Sequence, residues 1–291
     1  MPELPEVETI KLGLQKRIVG LKITKIQILS PKTFIGNPNK VQGQKVLKIE
    51  RFAKLLSISL SSDITLLIHL KMTGQLIWKG ESGKGKGESL IGGHPTPDMV
   101  GPMPNSHTRV IFSFSDGSHL YFNDQRLFGW VRVVDSEQVT VDSLLKGLGP
   151  EPLEKEFTWE ILKKNLLKHK SMPIKVAVMD QAVVSGVGNI YSNEACFNAK
   201  LDPRKKVGDL KDREFQSLYH GIIKALQDGI KYGGSTRAHF VDAEGHKGYF
   251  LDYAFVYGRD KHKCKVCGTE IKKISLGGRG TYFCPKCQKA V

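Results

Sequence analysis

Four of the chain's five cysteines fall into two pairs, Cys264-x2-Cys267 and Cys284-x2-Cys287, with sixteen residues between the pairs. Two residues between thiolates let one tight turn aim both at a single ion. Two such knuckles complete a closed tetrahedral site of the kind that holds a structural zinc. The same even count also permits two disulfides. The N-terminus reads Met1-Pro2-Glu3, with a second acid at Glu6, where a secretory signal shows a basic and then an apolar region. A chain with no export signal is expected in the reducing cytoplasm, where disulfides are disfavoured. The expectation is therefore one Zn2+ on Cys264, Cys267, Cys284 and Cys287. The fifth cysteine, Cys196, lies in a helical-looking stretch and is assigned no chemistry.

The knuckles take up only the end of 291 residues, and at roughly 150 residues per domain the remainder is long enough for about two cores. Lys and Arg number 44 against 29 Asp and Glu, a formal charge of +15. Such a surplus points to a polyanionic partner, nucleic acid first, because basic side chains on phosphates release condensed counterions. A solvated basic surface or an anionic membrane surface would also accommodate it. Apolar stretches such as Leu66–Ile68 and Val176–Met179 fall far short of the roughly 20 residues a bilayer span needs.

Apolar residues at Val7, Ile10, Leu14 and Ile18 predict an amphipathic helix over 6–19. Period-two patterns then predict short strands at 46–49, 55–60, 64–70, 110–114 and 120–122, with a hairpin turn at Ser115-Asp116-Gly117. Regularly spaced short strands favour a sandwich or barrel. Between Lys79 and His107 lie seven glycines, four prolines and no aromatic residue, including Gly83-Lys84-Gly85-Lys86-Gly87; this stretch reads as a surface loop. A break at Gly147–Pro152 separates the strands from helical patterns at 158–169, 174–184, 189–199 and 212–232. Gly186-Val187-Gly188-Asn189 would bring backbone N–H groups at a helix start close to an anion.

Four separated motifs run along the chain in a fixed order: Pro2-Glu3-Leu4-Pro5-Glu6-Val7-Glu8-Thr9, Gly186-Val187-Gly188-Asn189-Ile190-Tyr191, Val256-Tyr257-Gly258-Arg259, and Gly278-Arg279-Gly280-Thr281-Tyr282-Phe283-Cys284 through Gln288. Together they resemble the bacterial formamidopyrimidine-DNA glycosylases, bifunctional base excision repair enzymes for oxidised purines. The resemblance spans nearly the whole chain. It implies an α+β molecule with an N-terminal β-sandwich catalytic domain led by a helix (1–147), a helix-two-turn-helix DNA-binding domain with a lesion-capping loop (148–255) and a zinc finger (256–291). The implied partner is damaged double-stranded DNA. With no apolar heptad left over, a monomer is expected.

The resemblance also implies roles for residues. Once Met1 is removed, Pro2 presents a secondary amine titrating roughly two units below lysine, a usable nucleophile near neutral pH. Attack on the sugar C1′ expels the base, and the cationic iminium acts as electron sink for strand cleavage on both sides of the sugar. Glu3 falls at the acid that assists ring opening. Glu6 matches a further acidic position of the motif. Lys54 falls at a lysine that contacts phosphate and supports β-elimination, and Arg279 at an arginine that clamps phosphate and supports δ-elimination. Asn189 and His107 match DNA-contacting positions, as does Lys170, with Ser171 aligning about as well. Met72, Arg126 and Phe128 match the wedge that fills the space left by a flipped base. Gly233 to Phe250 matches the lid over that base.

Two other readings compete. A sister family, the endonuclease-eight glycosylases of oxidised pyrimidines, usually opens Pro-Glu-Gly-Pro-Glu, whereas Leu4 stands at the glycine position here. A non-catalytic zinc-finger lesion-binding protein would fit the charge and the cysteines but leaves Pro2-Glu3 without a purpose.

Overall fold

Pro5 and the acid-rich start Glu3–Glu8 favour a helix N-terminus, and helix α1 (Leu4–Ile18) begins there. The structure, a computed structural model, describes residues 1–80, 89–93, 101–137, 143–235 and 250–289. Strands β1 (Ile23–Ile28), β2 (Phe34–Ile35), β3 (Val46–Phe52), β4 (Leu55–Leu60), β5 (Ile64–His69), β6 (Gly74–Lys79), β7 (Ser89–Gly93), β8 (Thr108–Phe114), β9 (His119–Asp124) and β10 (Trp130–Asp135) follow, then a short α2 (Ser143–Lys146). They form two five-stranded sheets, ordered β1-β8-β9-β6-β7 and β2-β10-β5-β4-β3. Every pairing is antiparallel except β2 with β10. Leu66, Ile68 and Ile58 from one sheet and Phe112, Phe122 and Leu76 from the other share a core with Val7, Ile10, Leu14 and Ile18 of α1, giving the expected sandwich.

The expected helix over 6–19 and the strands at 55–60, 64–70, 110–114 and 120–122 appear close to their predicted bounds. One correction concerns the glycine-rich stretch after Lys79. Its residues 89–93 form β7, pair with β6 and bury Leu90 and Ile91. Gly92 is there for fit: a Cβ on it would collide with Ile10 Cγ1, so the bare backbone lets α1 lie against the sheet. Gly83–Gly87 lies outside the described residues.

The second unit comprises 147–232 and 250–291, the first Met1–Lys146 and Gly233–Tyr249. It holds α3 (Trp159–Leu166), α4 (Ile174–Val178), α5 (Asn189–Asn198), α6 (Asp212–Lys231), α7 (Phe250–Tyr253) and the hairpin of β11 (Lys272–Leu276) and β12 (Arg279–Phe283). A second correction shortens the helix expected over 174–184. It stops at Val178 because Asp180 Oδ1 accepts the Ala182 N–H at 2.9 Å, turning the chain. Gln181 then braces the turn before α5, donating to the Val187 carbonyl at 2.7 Å and accepting from the Gly186 N–H at 3.0 Å. No helix among the described residues is long and apolar enough to cross a membrane.

Candidate active site

In the first unit, the loops that carry the predicted site residues all leave one end of the two sheets. Leu55, His69 and Trp130 stand side by side at the end of one sheet, and Gly74, Asp124 and Thr108 close the same end of the other. Seven non-glycine residues among those described have positive φ, and three of them flank this end: Ala53 precedes Lys54, Lys71 precedes Met72, and Leu127 separates Arg126 from Phe128. Left-handed backbone at such residues costs energy and persists where the surroundings enforce it.

The start of α1 belongs to this region. Pro2 is buried, as are Glu3 and Glu6. Glu6 accepts the Glu3 N–H on Oε2 at 2.8 Å and the Ser235 N–H on Oε1 at 2.7 Å, so one carboxylate ties the helix start to the segment following α6. Lys54, in the two-residue turn between β3 and β4, is 7% exposed. Burial lowers its pKa, and the negative charges of Glu3 and Glu6 oppose that shift only in part. A lysine held in this way gives up its proton more readily than one in water.

His69 was not singled out from the sequence. It ends β5, accepts the Lys71 N–H on Nδ1 at 3.0 Å, and has its pKa lowered to about 3 by burial and by the charges of Lys71 and Lys54. It is therefore a neutral imidazole at physiological pH, with Nε2–H as its donor. No sequence signal marks it, because the left-handed turn at Lys71 is seen only in the structure.

Phe128 is 53% exposed, with the Arg126 guanidinium 4.8 Å from its ring centroid. An aromatic this exposed, stacked on a cation, is not a core residue. Met72 is half-buried on the loop between β5 and β6, and His107 half-buried just before β8. The lid expected over 233–250 lies outside the described residues apart from Gly233–Ser235 and Phe250.

In the second unit, Asn189 opens α5, and its side-chain oxygen accepts from Lys175 Nζ at 2.5 Å. Lys175, wholly buried and also missed from the sequence, holds the Asn189 amide in one orientation. Lys170 is exposed, and its carbonyl accepts the Gly208 N–H at 2.9 Å. Arg279 is exposed at the tip of the β11–β12 hairpin, whose Gly277-Gly278 turn has both φ values positive, as a tight two-residue hairpin requires. The hairpin is fixed to α5. Buried Asn193 donates to the Asn189 carbonyl and accepts the Tyr282 N–H at 2.7 Å. Glu194 accepts the N–H groups of Phe255, Val256 and Tyr257 at 2.8, 3.0 and 2.8 Å.

The four knuckle sulfurs lie within 4.8 Å of one another, with Cys267 and Cys284 3.4 Å apart and Cys264 and Cys287 4.0 Å apart. A tetrahedral Zn2+ with bonds of about 2.3 Å separates its sulfurs by about 3.8 Å, and disulfide sulfurs sit at about 2.05 Å. The geometry fits the ion and excludes the disulfide alternative.

Family models match the chain along its length: the formamidopyrimidine-DNA glycosylase N-terminal domain over 1–131, its H2TH domain over 148–241, and the zinc finger found in FPG and IleRS over 261–290. The chain belongs to the formamidopyrimidine-DNA glycosylase family. It is 39% identical to the formamidopyrimidine-DNA glycosylase of Pelotomaculum thermopropionicum, with 99% of each chain covered. It is 37% identical to that of Heliobacterium modesticaldum, covering 99% of this chain and 100% of the relative. Among solved structures, a Lactococcus lactis FPG variant in complex with Fapy-dG-containing DNA superposes with a TM-score of 0.85 at 33% identity, covering 99% of this chain and all of the other. MutM in complex with carbocyclic 8-oxo-G-containing DNA gives 0.82 at 34%, with the same coverage. Within the glycosylase family's frame, Lys54, His69 and the Met72 and Arg126–Phe128 loops share one end of the sandwich, while Asn189 and Arg279 share one braced element of the second unit.

Proposed function

We propose that this glycosylase excises oxidised purines, 8-oxoguanine and formamidopyrimidines, from duplex DNA, with Pro2 as the nucleophile. The observation that carries the reading is the buried cluster at the start of α1: Pro2 and Glu3 beside a Lys54 whose pKa is lowered by burial in the field of Glu3 and Glu6.

After loss of Met1, the Pro2 nitrogen bonds to C1′ of the damaged nucleotide as the N-glycosidic bond breaks and the base leaves. Glu3 donates a proton to the ring oxygen, which opens the sugar and leaves an iminium. The iminium acidifies C2′–H. Lys54, on the phosphate beside the lesion, supports loss of that proton as the 3′ phosphate departs, and a second elimination, which loses a C4′ proton with Arg279 on phosphate, expels the 5′ phosphate. Hydrolysis of the iminium frees Pro2. Met72, Arg126 and Phe128 fill the space vacated by the flipped nucleotide, while His107, Lys170 and Asn189 hold the backbone. Zn2+ on Cys264, Cys267, Cys284 and Cys287 supplies rigidity to the element bearing Arg279.

The test is borohydride trapping on a duplex with one 8-oxoguanine opposite cytosine, beside undamaged and dihydrothymine duplexes. An adduct chiefly on 8-oxoguanine is the expected result. Equal or greater trapping on dihydrothymine would favour the pyrimidine reading, for which one observation speaks: a Lactococcus lactis FPG (MutM) structure holds DNA containing an oxidised pyrimidine. No adduct on any duplex, with Met1 shown absent by mass, would leave a lesion-binding protein.

A further inference from the structure

Asp124 ends β9 and is wholly buried. Its Oδ2 accepts the Gly129 N–H at 2.6 Å; its Oδ1 accepts the Arg126 N–H at 3.2 Å and the Thr73 hydroxyl. The Thr73 oxygen in turn accepts the Arg126 N–H at 3.1 Å. The Asp124 N–H donates to the His107 carbonyl at 2.9 Å. The Asp124 carbonyl accepts from Arg109 Nε at 2.7 Å, and Arg109 Nη1 reaches the Ser106 carbonyl at 3.0 Å. One residue thus holds three separate segments: the one with Met72, the one with His107, and the one with Arg126 and Phe128.

The fit depends on the carboxylate. Both oxygens face donors, so an amide in the same place would set an N–H against at least one of them. Gly129 is part of the arrangement, because a Cβ there would lie 3.1 Å from Asp124 Oδ2 and 2.9 Å from Phe122 Cζ. Between Asp124 and Gly129 the backbone passes through the left-handed region at Leu127, φ 57°, and Arg126 and Phe128 on either side of it are both exposed.

We infer that Asp124, with Thr73, is the positioning residue that couples Met72 to Arg126 and Phe128, so that these side chains enter the base stack as one unit. The inference rests on the wedge reading given above. Asp124 touches no reacting atom; it sets the spacing between groups that do the inserting.

A double-mutant cycle reads the coupling. Single-turnover excision of 8-oxoguanine is measured for Met72→Ala, Phe128→Ala and the double variant, in the native and Asp124→Asn backgrounds. In the native background the double variant is expected to be little slower than the worse single one. Asp124→Asn itself is expected to slow excision by about tenfold, to slow cleavage at a ready-made abasic site far less, and to make the two losses multiply. Unchanged excision in Asp124→Asn, equal loss in both reactions, or multiplicative losses already in the native background would overturn the coupling. If neither single alanine variant slows excision, the wedge reading itself fails. Should Asp124→Asn not fold, Thr73→Val and Thr73→Ser decide: the serine keeps the bridging hydroxyl and is expected to retain excision, the valine to lose it, and equal rates would overturn the inference.

Discussion

Glu6 and Ser235 lie 229 residues apart in sequence yet meet through a 2.7 Å hydrogen bond from the Ser235 N–H to Glu6 Oε1. The other oxygen of the same carboxylate holds the Glu3 N–H, so the helix start that presents Pro2 and the segment leaving α6 share one acceptor.

Glu6→Gln turns one of those two acceptors into a donor facing an N–H. Losing a buried hydrogen bond to a charged group costs about 2 kcal/mol. The variant is expected to unfold at lower urea and to excise 8-oxoguanine about tenfold more slowly. Urea titration and single-turnover kinetics check both, and native values in each would mean that the carboxylate is dispensable.

A chain that keeps Met1 carries an amide nitrogen at Pro2 in place of a secondary amine. It is expected to bind a duplex bearing an abasic-site analogue and to form no borohydride-trapped adduct. Intact mass and trapping on the same sample check this, and an adduct from a fully Met1-bearing preparation would remove Pro2 from the mechanism.

His69 gives a pH dependence with a defined sign. Its folded pKa is lowered to about 3, while the unfolded side chain titrates near 6.5. Between those values the unfolded chain binds the extra proton, so stability rises with pH there and is lost as pH falls from 6.5 towards 3. His69→Asn is expected to lose less stability than the parent between pH 7 and pH 4.5, as read from urea midpoints. Parallel curves for the two proteins would rule this out.

The sequence showed α1, most of the central strands and the knuckle cysteines because each depends on local pattern: helical spacing, alternation, or a fixed distance between ligands. It hid β7, where Gly92 looks like loop but leaves room for Ile10 of α1. It also hid the supports of the site. Asp124, Lys175 and Asn193 are polar residues buried by neighbours distant in sequence, and periodicity carries no trace of such partners. Phe128 was legible only through resemblance, since an apolar residue after a strand reads as core until its 53% exposure is seen.

Arg279 stands at a hairpin tip braced by Asn193 and by the knuckles. Arg279→Ala is expected to weaken duplex binding and to reduce the slope of log K against log salt by about 1, the share of one phosphate contact. Fluorescence anisotropy over a salt series checks it; an unchanged slope would take Arg279 off the phosphate.

Metal removal is expected to have a larger effect on the same element. With Cys264, Cys267, Cys284 and Cys287 unligated, the hairpin loses the cross-link that closes it. Chelation is expected to abolish duplex binding and lower the melting temperature, with recovery on adding Zn2+. Full binding by metal-free protein, verified by elemental analysis, would contradict this role.

The strand connections give the sandwich two unlike rims. Every loop with a predicted DNA contact leaves one end, and the turns at 61–63 and 115–118 leave the other. Fluorescent labels, affinity handles or new chain termini introduced at Asp116-Gly117 would therefore sit a full strand length from the predicted DNA contacts of the sandwich. That makes the far rim the place to attach a reporter of lesion search.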